Sequence, residues 1–175
     1  MARLIVLAGL PGCGKSTLAR ELARRTGATW LRIDSIEVAI KASGVVPGDL
    51  KDAGYRAAHA VAEDNLLLGR DIVADCVNDW QVARDGWQET GGRAGTEVIW
   101  IEIVCSDPAE HRHRLETRVV NLPDLDLPDW TAVTGREYHA WDRDHLTIDT
   151  SGRTPEACVD EMIAAMRTPS NFQNG

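Results

Sequence analysis

The sequence predicts an α/β domain with a five-stranded parallel sheet and helices on both faces. Five short apolar runs of strand length alternate along the chain with segments whose apolar residues recur at helical spacing. Strands and helices that alternate in this way form parallel sheets whose two faces are covered by the helices. The first apolar run also leads directly into a glycine-rich loop and then into a helix. Strand, glycine loop and helix in this order are typical of the same fold class.

The glycine-rich loop, residues 9–17, reads Gly-Leu-Pro-Gly-Cys-Gly-Lys-Ser-Thr and fits the phosphate-binding pattern G-x-x-x-x-G-K-[ST]. Glycines let the backbone N–H groups turn towards phosphate oxygens, and the following helix adds the positive end of its dipole. Lys15 can reach the outer phosphates of a nucleoside triphosphate, and the Ser16 hydroxyl can bind Mg²⁺. We therefore expect nucleotide contacts from Gly9, Pro11, Gly12, Cys13, Gly14, Lys15, Ser16 and Thr17.

The other elements follow in order along the chain. The first strand and helix are predicted over residues 4–8 and 18–25, and later strands over 29–33, 71–76, 97–105 and 145–149. Further helices are predicted up to residue 43 and over 50–68, 79–90, 131–140 and 154–167, with one more starting at Asp107-Pro108. Gly91-Gly92 is interpreted as a helix stop. One domain covers residues 1–167, and we expect the polar tail 168–175 to be disordered.

Composition narrows the class of partner. The 175 residues carry a net charge of −8, from 27 acidic and 19 basic side chains. An acidic chain has no long-range attraction for a nucleic-acid backbone, so we do not expect nucleic acid as a partner. The four cysteines are scattered without metal-ligand spacing, which is typical of a reducing, cytoplasmic setting. The first apolar run is too short for a signal peptide or a membrane span, so no membrane association is expected.

Acidic side chains lie where the predicted strands end. Asp34 follows the second strand, Asp75 lies at the end of the third, and Asp149 closes the fifth. In open parallel sheets, ligands bind beyond the carboxyl ends of the strands. Carboxylates beside a phosphate-binding loop favour an enzyme over a protein that only senses nucleotide.

The chain resembles the small P-loop kinases of the nucleoside-monophosphate-kinase-like fold. It is similar to the group that contains gluconate kinases, adenylylsulfate kinases, chloramphenicol phosphotransferase, zeta toxins and the kinase domain of polynucleotide kinases. The resemblance covers residues 2–167 and is carried by the phosphate loop, Asp34, Asp75, Arg114-x-x-x-Arg118 and the stretch 136–149. It implies a three-layer P-loop NTPase fold with a small helical lid over residues 110–140. It also implies that ATP, with Mg²⁺, donates a phosphoryl group to a hydroxyl of a small-molecule acceptor.

The resemblance implies that Asp34 is the general base, because the group places an aspartate at the end of the second strand. In-line transfer needs the acceptor hydroxyl to be oriented and its proton to be accepted. A local alternative exists, since Asp34 and Glu37 have the spacing of a capping box for the next helix. The two roles are compatible.

Three residues after the third strand are assigned to the acceptor side. Asp75 resembles the carboxylate that holds Mg²⁺, but this strand end also faces the acceptor in the resembling kinases, so both roles stay open. The spacing Asn78-x-x-x-x-x-Arg84 resembles a stretch in which an arginine helps to position the acceptor. The alternative for Arg84 is an ordinary place on a solvated helix face.

Four more arginines are candidates for the site. Arg114 and Arg118 are four residues apart, which predicts that they share one helical face. In the resembling kinases such arginines belong to the lid and neutralise charge on the transferring phosphoryl group, so both are expected to act with Lys15 in catalysis. Arg136 resembles a further arginine near the phosphates and is assigned to the acceptor side. Arg153 follows the fifth strand, where this fold holds adenine. A solvated charged face is the alternative for Arg114, Arg118 and Arg136.

The acceptor stays open among sugars or sugar acids, natural products or antibiotics, and nucleosides or nucleotides. Two other functions are considered: a nucleic-acid 5′-hydroxyl kinase, which shares the two-aspartate arrangement, and a nucleotide-binding module without an acceptor. The net charge of −8 disfavours the first. The combination of Asp34, Asp75 and several arginines disfavours the second, because a protein that only binds nucleotide does not need it.

Overall fold

The computed structural model describes residues 2–45, 50–119, 122, 125 and 127–167. Its strands are β1 (Arg3–Ala8), β2 (Thr29–Arg32), β3 (Ile72–Asp75), β4 (Glu97–Val104) and β5 (Leu146–Asp149). Its helices are α1 (Lys15–Thr26), α2 (Ile33–Ala42), α3 (Ala53–Leu67), α4 (Gln81–Ala94), α5 (Pro108–Thr117), α6 (Trp130–Thr134) and α7 (Pro155–Arg167). The predicted tail, 168–175, and five residues of the predicted lid lie outside the described residues. Among the described residues, none of the helices combines the length and the hydrophobicity that crossing a bilayer requires.

All five strands are parallel, in the order β2-β3-β1-β4-β5. The central strand β1 pairs with β3 on one side and with β4 on the other. Chain connections therefore leave β1 towards both edges of the sheet, and the carboxyl end of β1 is the switch point where such sheets bind ligands. The phosphate-binding loop begins at this point. The predicted fold class is confirmed.

Helices pack against both faces of the sheet, which gives three layers. Residues 4–8 of β1 are all fully buried, and their side chains alternate between the two faces. On one face α1 and α7 contribute Leu18 and Met162 to the core. On the other face α3 and α4 contribute Ala62 and Trp87. Burial of apolar surface on both sides fixes the sheet in the middle of the molecule and leaves its carboxyl edge open to ligands.

The predicted helix stop at Gly91-Gly92 is wrong. α4 continues through both glycines to Ala94, and Gly95, with φ of 63°, follows it. The reason for a glycine at position 91 is packing, because a Cβ there would lie 2.2 Å from a methyl carbon of Val98. The glycine lets α4 approach β4 closely, and the helix tolerates it in exchange for that contact.

Two other boundaries differ from the prediction, and one is confirmed. β2 ends at Arg32 and α2 begins at Ile33, so Asp34 lies inside the first turn; the side chain at the N-cap, Arg32, makes no capping hydrogen bond. The capping-box alternative for Asp34 is therefore wrong. α6 stops at Gly135, well before residue 140. The start of α5 is as predicted, with Asp107 accepting hydrogen bonds from the backbone of the first turn.

Candidate active site

Three glycines shape the loop between β1 and α1. Gly9, Gly12 and Gly14 have φ angles of 134°, 89° and 103°, in the region that side chains disfavour. A Cβ at Gly9 would lie 2.1 Å from the carbonyl oxygen of Ile103, and one at Gly12 would lie 3.0 Å from Leu115. The loop is therefore held against β4 and α5 at two positions that only glycine fits. The conformation of this loop therefore depends on its glycines.

Lys15 is the first residue of α1 and is 8% exposed. Its Nζ donates a hydrogen bond of 2.9 Å to the carbonyl oxygen of Leu10, across the loop. The Sγ atom of Cys13 lies 3.9 Å from the same nitrogen, and burial raises the pKa of the Cys13 thiol. Cys13 therefore contributes its backbone and a neutral side chain. The ammonium lies beside the loop, where the predicted phosphate contact requires it.

Asp75 and Ser16 lie together beyond the end of β3. Asp75 is 4% exposed, and its Oδ2 accepts a hydrogen bond of 3.2 Å from Trp30 Nε1. The Ser16 side chain lies close enough to lower the pKa of this carboxyl. Burial raises the pKa of Asp75, and the positive charge of Lys15 opposes that rise.

This pair of oxygen donors fits Mg²⁺. Magnesium commonly takes one or two protein oxygens and fills its shell with substrate phosphates and water. Within the described parts of the chain, no three or more His, Cys, Asp or Glu side chains form a metal cluster. Ser16 and Asp75 would therefore share the ion with the phosphates of a bound nucleotide.

The Asp34 side chain lines a cleft that is also lined by the phosphate loop and by residues of α3. Its side chain is 44% exposed, and its Oδ2 lies 3.6 Å from Arg32 Nη2. The positive charge of Arg118 also acts on it, since Asp34 opposes the lowering of the Arg118 pKa. No hydrogen bond among the described residues ends on this carboxylate, so both of its oxygens can accept one from a ligand.

Arg118 does not share a helical face with Arg114, and that prediction is wrong. α5 ends at Thr117, and Arg118 has an extended backbone, with φ of −60° and ψ of 135°. The Nε and Nη2 atoms of Arg118 are buried without a hydrogen-bond partner among the described residues. Desolvation lowers the pKa of Arg118, although the guanidinium stays charged at neutral pH. The chain turns at this residue and brings the guanidinium within electrostatic range of Asp34.

Arg114 instead holds the loop that follows β5. Its Nη1 donates to Thr150 Oγ1 and its Nη2 to the carbonyl oxygen of Thr150, each at 2.9 Å. Nη2 also pairs with Glu110, whose other oxygen accepts hydrogen bonds from Ser151 Oγ at 3.0 Å and Gly152 N at 2.9 Å. The ion pair therefore holds residues 150–152 in place through hydrogen bonds. The solvated face considered for Arg114 is not observed, since its side chain is 29% exposed.

Two residues near the phosphate loop have no counterpart in the sequence-based prediction. Thr150 is 4% exposed, and its Oγ1 lies 2.9 Å from the carbonyl oxygen of Cys13 and 3.0 Å from that of Val104. His111 is buried on α5, with Nε2 2.9 Å from the carbonyl oxygen of Pro11. Both side chains brace the loop from behind. The sequence offered one signal for each: Thr150 follows the end of a strand, and His111 lies on the turn of α5 that faces the loop.

Asn78 and Arg84 are 0% exposed, which contradicts direct contact with an acceptor. Asn78 has φ of 51° and donates from Nδ2 to the carbonyl oxygen of Leu7 at 2.9 Å. Arg84 donates from all three nitrogens to the carbonyl oxygens of Asn78, Ala140 and His139, at 2.9–3.0 Å. Its guanidinium also lies 4.1 Å from the ring centre of Trp141 and 5.3 Å from that of Tyr138. The solvated-face alternative for Arg84 is equally wrong, because the side chain is internal.

Arg136 and Arg153 both line the cleft, at different places. Arg136 is 40% exposed and forms an ion pair with Asp79, which follows β3. Arg153 donates to the carbonyl oxygen of Asp149 at 3.1 Å and to Glu161 at 2.6 Å. Arg136 thus faces the predicted acceptor side, and Arg153 lies beside the loop where adenine is predicted.

The cleft that joins these groups has a volume of about 2000 Å³. The phosphate loop lines one part of it, and Asp34 and Asp75 lie on its wall. Residues of α3 and of the approach to α4 line another part, including Tyr55, His59 and Trp80. Burial raises the pKa of Tyr55 well above its ordinary value and lowers that of His59 to about 4, so both side chains are neutral at pH 7. The cleft is large enough for a nucleotide and a second small molecule.

Comparison with known proteins agrees with this geometry. A family model described as an AAA domain matches residues 4–134. A shikimate kinase of Mycobacterium tuberculosis is 30% identical over 186 residues, and the match covers 97% of this chain and 97% of that protein.

Solved structures share the fold. A sugar kinase of Janibacter sp. HTCC2649 superposes with a TM-score of 0.69 at 17% identity, covering 99% of this chain and 100% of that one. An APS kinase of Mycobacterium tuberculosis, in complex with AMPPNP and APS, superposes with a TM-score of 0.67 at 16% identity, covering 95% and 98%. At these identities the two structures show a common architecture. The family match and the shikimate kinase relative show more: the chain belongs to this AAA domain family of P-loop proteins, and it is an ATP-dependent kinase.

Proposed function

We propose that the chain transfers the γ-phosphoryl group of ATP to a hydroxyl of a small-molecule acceptor, with Asp34 as the general base. The position of Asp34 carries the proposal. The carboxylate opens into the cleft near the phosphate loop, is 44% exposed, and lies in the field of two arginines. It has no capping role and receives no hydrogen bond from the described residues. A carboxylate in this condition can orient a hydroxyl and accept its proton.

Each neighbouring group has a defined part in this proposal. The loop backbone and Lys15 bind the outer phosphates, and the guanidinium of Arg118, which lines the cleft, stabilises the transferring phosphoryl group. Asp34 accepts the acceptor proton as the new oxygen–phosphorus bond forms. Mg²⁺, held by Ser16 and Asp75, would neutralise charge between the β- and γ-phosphates when bound. The hydrogen bonds from Arg114 to Thr150 fix the side of the cleft where adenine is expected to bind.

The acceptor side of the cleft suits a polyhydroxylated molecule. Tyr55 carries a neutral hydroxyl that can exchange hydrogen bonds with hydroxyls of a ligand. Arg136 is 40% exposed beside Asp79 and can bind a carboxylate or a ring hydroxyl. Shikimate, a hydroxylated ring acid and the substrate named in the relatives, is therefore the first acceptor to test. Sugars, sugar acids, nucleosides and hydroxylated antibiotics follow.

The test is ADP release from MgATP with and without each acceptor in a panel, including an oligonucleotide with a free 5′-hydroxyl. We expect at least one small acceptor to raise turnover above the rate with water alone. Lys15→Met serves as the blank. Asp34→Asn should lower acceptor-dependent turnover roughly 100-fold or more, the range measured for general bases, while leaving ATP binding in place.

Three outcomes would count against the proposal. Full acceptor-dependent turnover in Asp34→Asn would remove Asp34 as the base. A response to the oligonucleotide alone would favour the nucleic-acid kinase. No response to any acceptor across the panel would favour a nucleotide-binding module.

A further inference from the structure

Arg32 is a largely buried arginine whose hydrogen-bonding capacity is partly unused. It is the last residue of β2, and its side chain is 15% exposed. Its Nε is buried and has no hydrogen-bond partner among the described residues. Proteins seldom leave a buried donor unpaired, because the donor loses its bonds to water without replacing them. Because the Arg32 side chain also lines the cleft, a bound ligand can offer its guanidinium an acceptor that the fold does not supply.

The charged groups near Arg32 are two carboxylates of the proposed active site. Its Nη2 lies 3.6 Å from Asp34 Oδ2, which is close enough for attraction but too long for a hydrogen bond. Arg32 also pairs in register with Asp75 across β2 and β3, and its positive charge acts on the Asp75 carboxylate. The guanidinium is thus close to both the proposed base and the carboxylate of the magnesium pair.

A structural arginine looks different in this protein. Arg84 is fully buried, and each of its three nitrogens donates to a backbone carbonyl oxygen. Among the residues that the structure describes, Arg32 has one long ion-pair contact and an unpaired Nε instead. Asp34 does not need Arg32 to compensate for burial, because the carboxylate is 44% exposed. The fold therefore gives this guanidinium carboxylate neighbours but leaves part of its hydrogen-bonding capacity unused among the described residues.

We propose that Arg32 is a further catalytic residue, which donates hydrogen bonds to the phosphoryl group as it passes from ATP to the acceptor. The inference rests on the proposed function. In that reaction the acceptor oxygen forms a bond to the γ-phosphorus, and the acceptor proton passes to Asp34. The bond between the phosphorus and the β–γ bridging oxygen breaks, and its electron pair leaves with ADP.

Distance supports the assignment. A general base lies about 2.6–3.2 Å from the oxygen that it deprotonates, and reacting atoms approach to about 3–3.5 Å. With a guanidinium nitrogen 3.6 Å from the base, the long Arg32 side chain can reach a phosphoryl oxygen that gains negative charge during transfer. Arg118 is near the same carboxylate, so two planar donors would act on one phosphoryl group.

The test measures binding of a phosphoryl-transfer analogue and needs no identified acceptor. Titration calorimetry compares MgADP alone with MgADP plus aluminium fluoride, with water in the place of the acceptor hydroxyl. In the wild type, aluminium fluoride should tighten ADP binding. Arg32→Gln should lose roughly 100-fold in affinity for the aluminium fluoride complex, as when one donor to a developing charge is removed. Its affinity for MgADP alone should stay at the wild-type value.

Two further variants complete the design. Arg32→Lys keeps the charge but loses the planar fork, so its analogue affinity should fall between those of the wild type and Arg32→Gln. Arg24→Gln removes a positive charge from the surface of α1, where Arg24 is 71% exposed and pairs with Glu21. This control should leave both affinities unchanged.

The outcomes separate the two proposals. If Arg32→Gln binds the aluminium fluoride complex as tightly as the wild type does, the role of Arg32 is overturned and the proposed function stands. If aluminium fluoride fails to tighten ADP binding in the wild type, the role of Arg32 is overturned, while the acceptor panel still decides the proposed function. If Arg32→Gln loses MgADP binding too, Arg32→Lys decides: normal MgADP affinity with weakened analogue affinity supports the role, and any other result overturns it.

Discussion

Arg84 and Arg118 are both withdrawn from solvent, yet their guanidinium groups meet different surroundings. Arg84 lies under the start of α4, where three carbonyl oxygens and two aromatic rings satisfy it completely. Arg118 follows α5, and two of its nitrogens are buried with no partner among the described residues. Arg32, across the cleft wall, has the same kind of unpaired donor. The fold pairs the guanidinium of Arg84 fully, whereas Arg118 and Arg32 keep donors that no described residue pairs.

The two regions use the positive charge of arginine for different purposes. Arg84 ties residues 139 and 140 to the turn after β3, so its charge serves the backbone. The charges of Arg32, Arg118 and Lys15 gather instead around two carboxylates and a loop built for phosphate. Unpaired buried donors lower the stability of a folded protein, and they persist where function uses them. The comparison predicts that mutations in the two regions will have opposite signatures.

The largest effect is expected for Arg118→Ala. Turnover with the best acceptor of the panel should fall roughly 1000-fold or more, the range for an arginine that stabilises a transferring phosphoryl group. The free energy of unfolding should stay the same or rise, because the variant removes donors that the fold leaves unpaired. ADP release and urea denaturation measure the two quantities. Arg112→Ala is the matched control, since Arg112 is 58% exposed on α5 and pairs only with Glu116 among the described residues.

Equal turnover in Arg118→Ala and Arg112→Ala would place Arg118 outside the mechanism. A marked loss of stability in Arg118→Ala would show that its guanidinium is part of the fold, and the contrast with Arg84 would break down.

The opposite signature is expected for Arg84→Met. Methionine keeps a long apolar stem between Tyr138 and Trp141 but leaves three carbonyl oxygens without a donor. The free energy of unfolding should fall by about 3 kcal/mol, the scale for breaking a buried charged network. Urea denaturation measures the fall, and Arg112→Met should change stability by less than about 0.5 kcal/mol, since its ion pair is exposed. A raised KM for the acceptor at unchanged stability would instead restore the direct contact that the sequence predicted for Arg84.

The sequence predicts local structure best where the residues concerned are consecutive in the chain. The phosphate loop is nine successive residues whose backbone angles follow from their own glycines, so its conformation could be read locally. Asp34 and Asp75 could be predicted to lie at one cleft, because carboxyl ends of parallel strands meet at one edge of a sheet. The five-stranded sheet follows from the same alternation of apolar runs.

What the sequence could not predict depends on partners that are distant along the chain. The rings that enclose Arg84 come from Tyr138 and Trp141, more than 50 residues away, and a charged residue on a helix gives no sign of such a partner. Thr150 braces Cys13 across 137 positions. Gly91 signals a helix stop by composition, although it serves the contact with β4. Local spacing also failed for Arg118, because no glycine or proline marks the end of α5.

The smallest effect is expected for His59. The prediction decides whether this side chain belongs to the structural region around Arg84 or to the side of the cleft that is open to a ligand. It lines the cleft, but its Nδ1 is 2.9 Å from Thr90 Oγ1, and its ring lies 4.2 Å from that of Trp87. Burial, followed by the charge of Arg93, lowers its pKa to about 4. The unfolded chain takes up this proton below about pH 6.5, whereas the folded protein does so only near pH 4. Stability is therefore present above pH 6.5 and is lost as the pH falls towards 4.

Urea denaturation at pH 7 and pH 5 measures this loss in the wild type and in His59→Gln. The fall in the free energy of unfolding should be about 1–2 kcal/mol larger in the wild type, because only the wild type carries this neutral histidine. His113→Gln is the control, since His113 is exposed on α5, and its fall should match that of the wild type. Equal falls in the wild type and His59→Gln would mean that the ring can take up a proton in the folded protein. His59 would then belong with Asp34 and the arginines, on the side of the cleft that is open to a ligand, and no longer with Arg84.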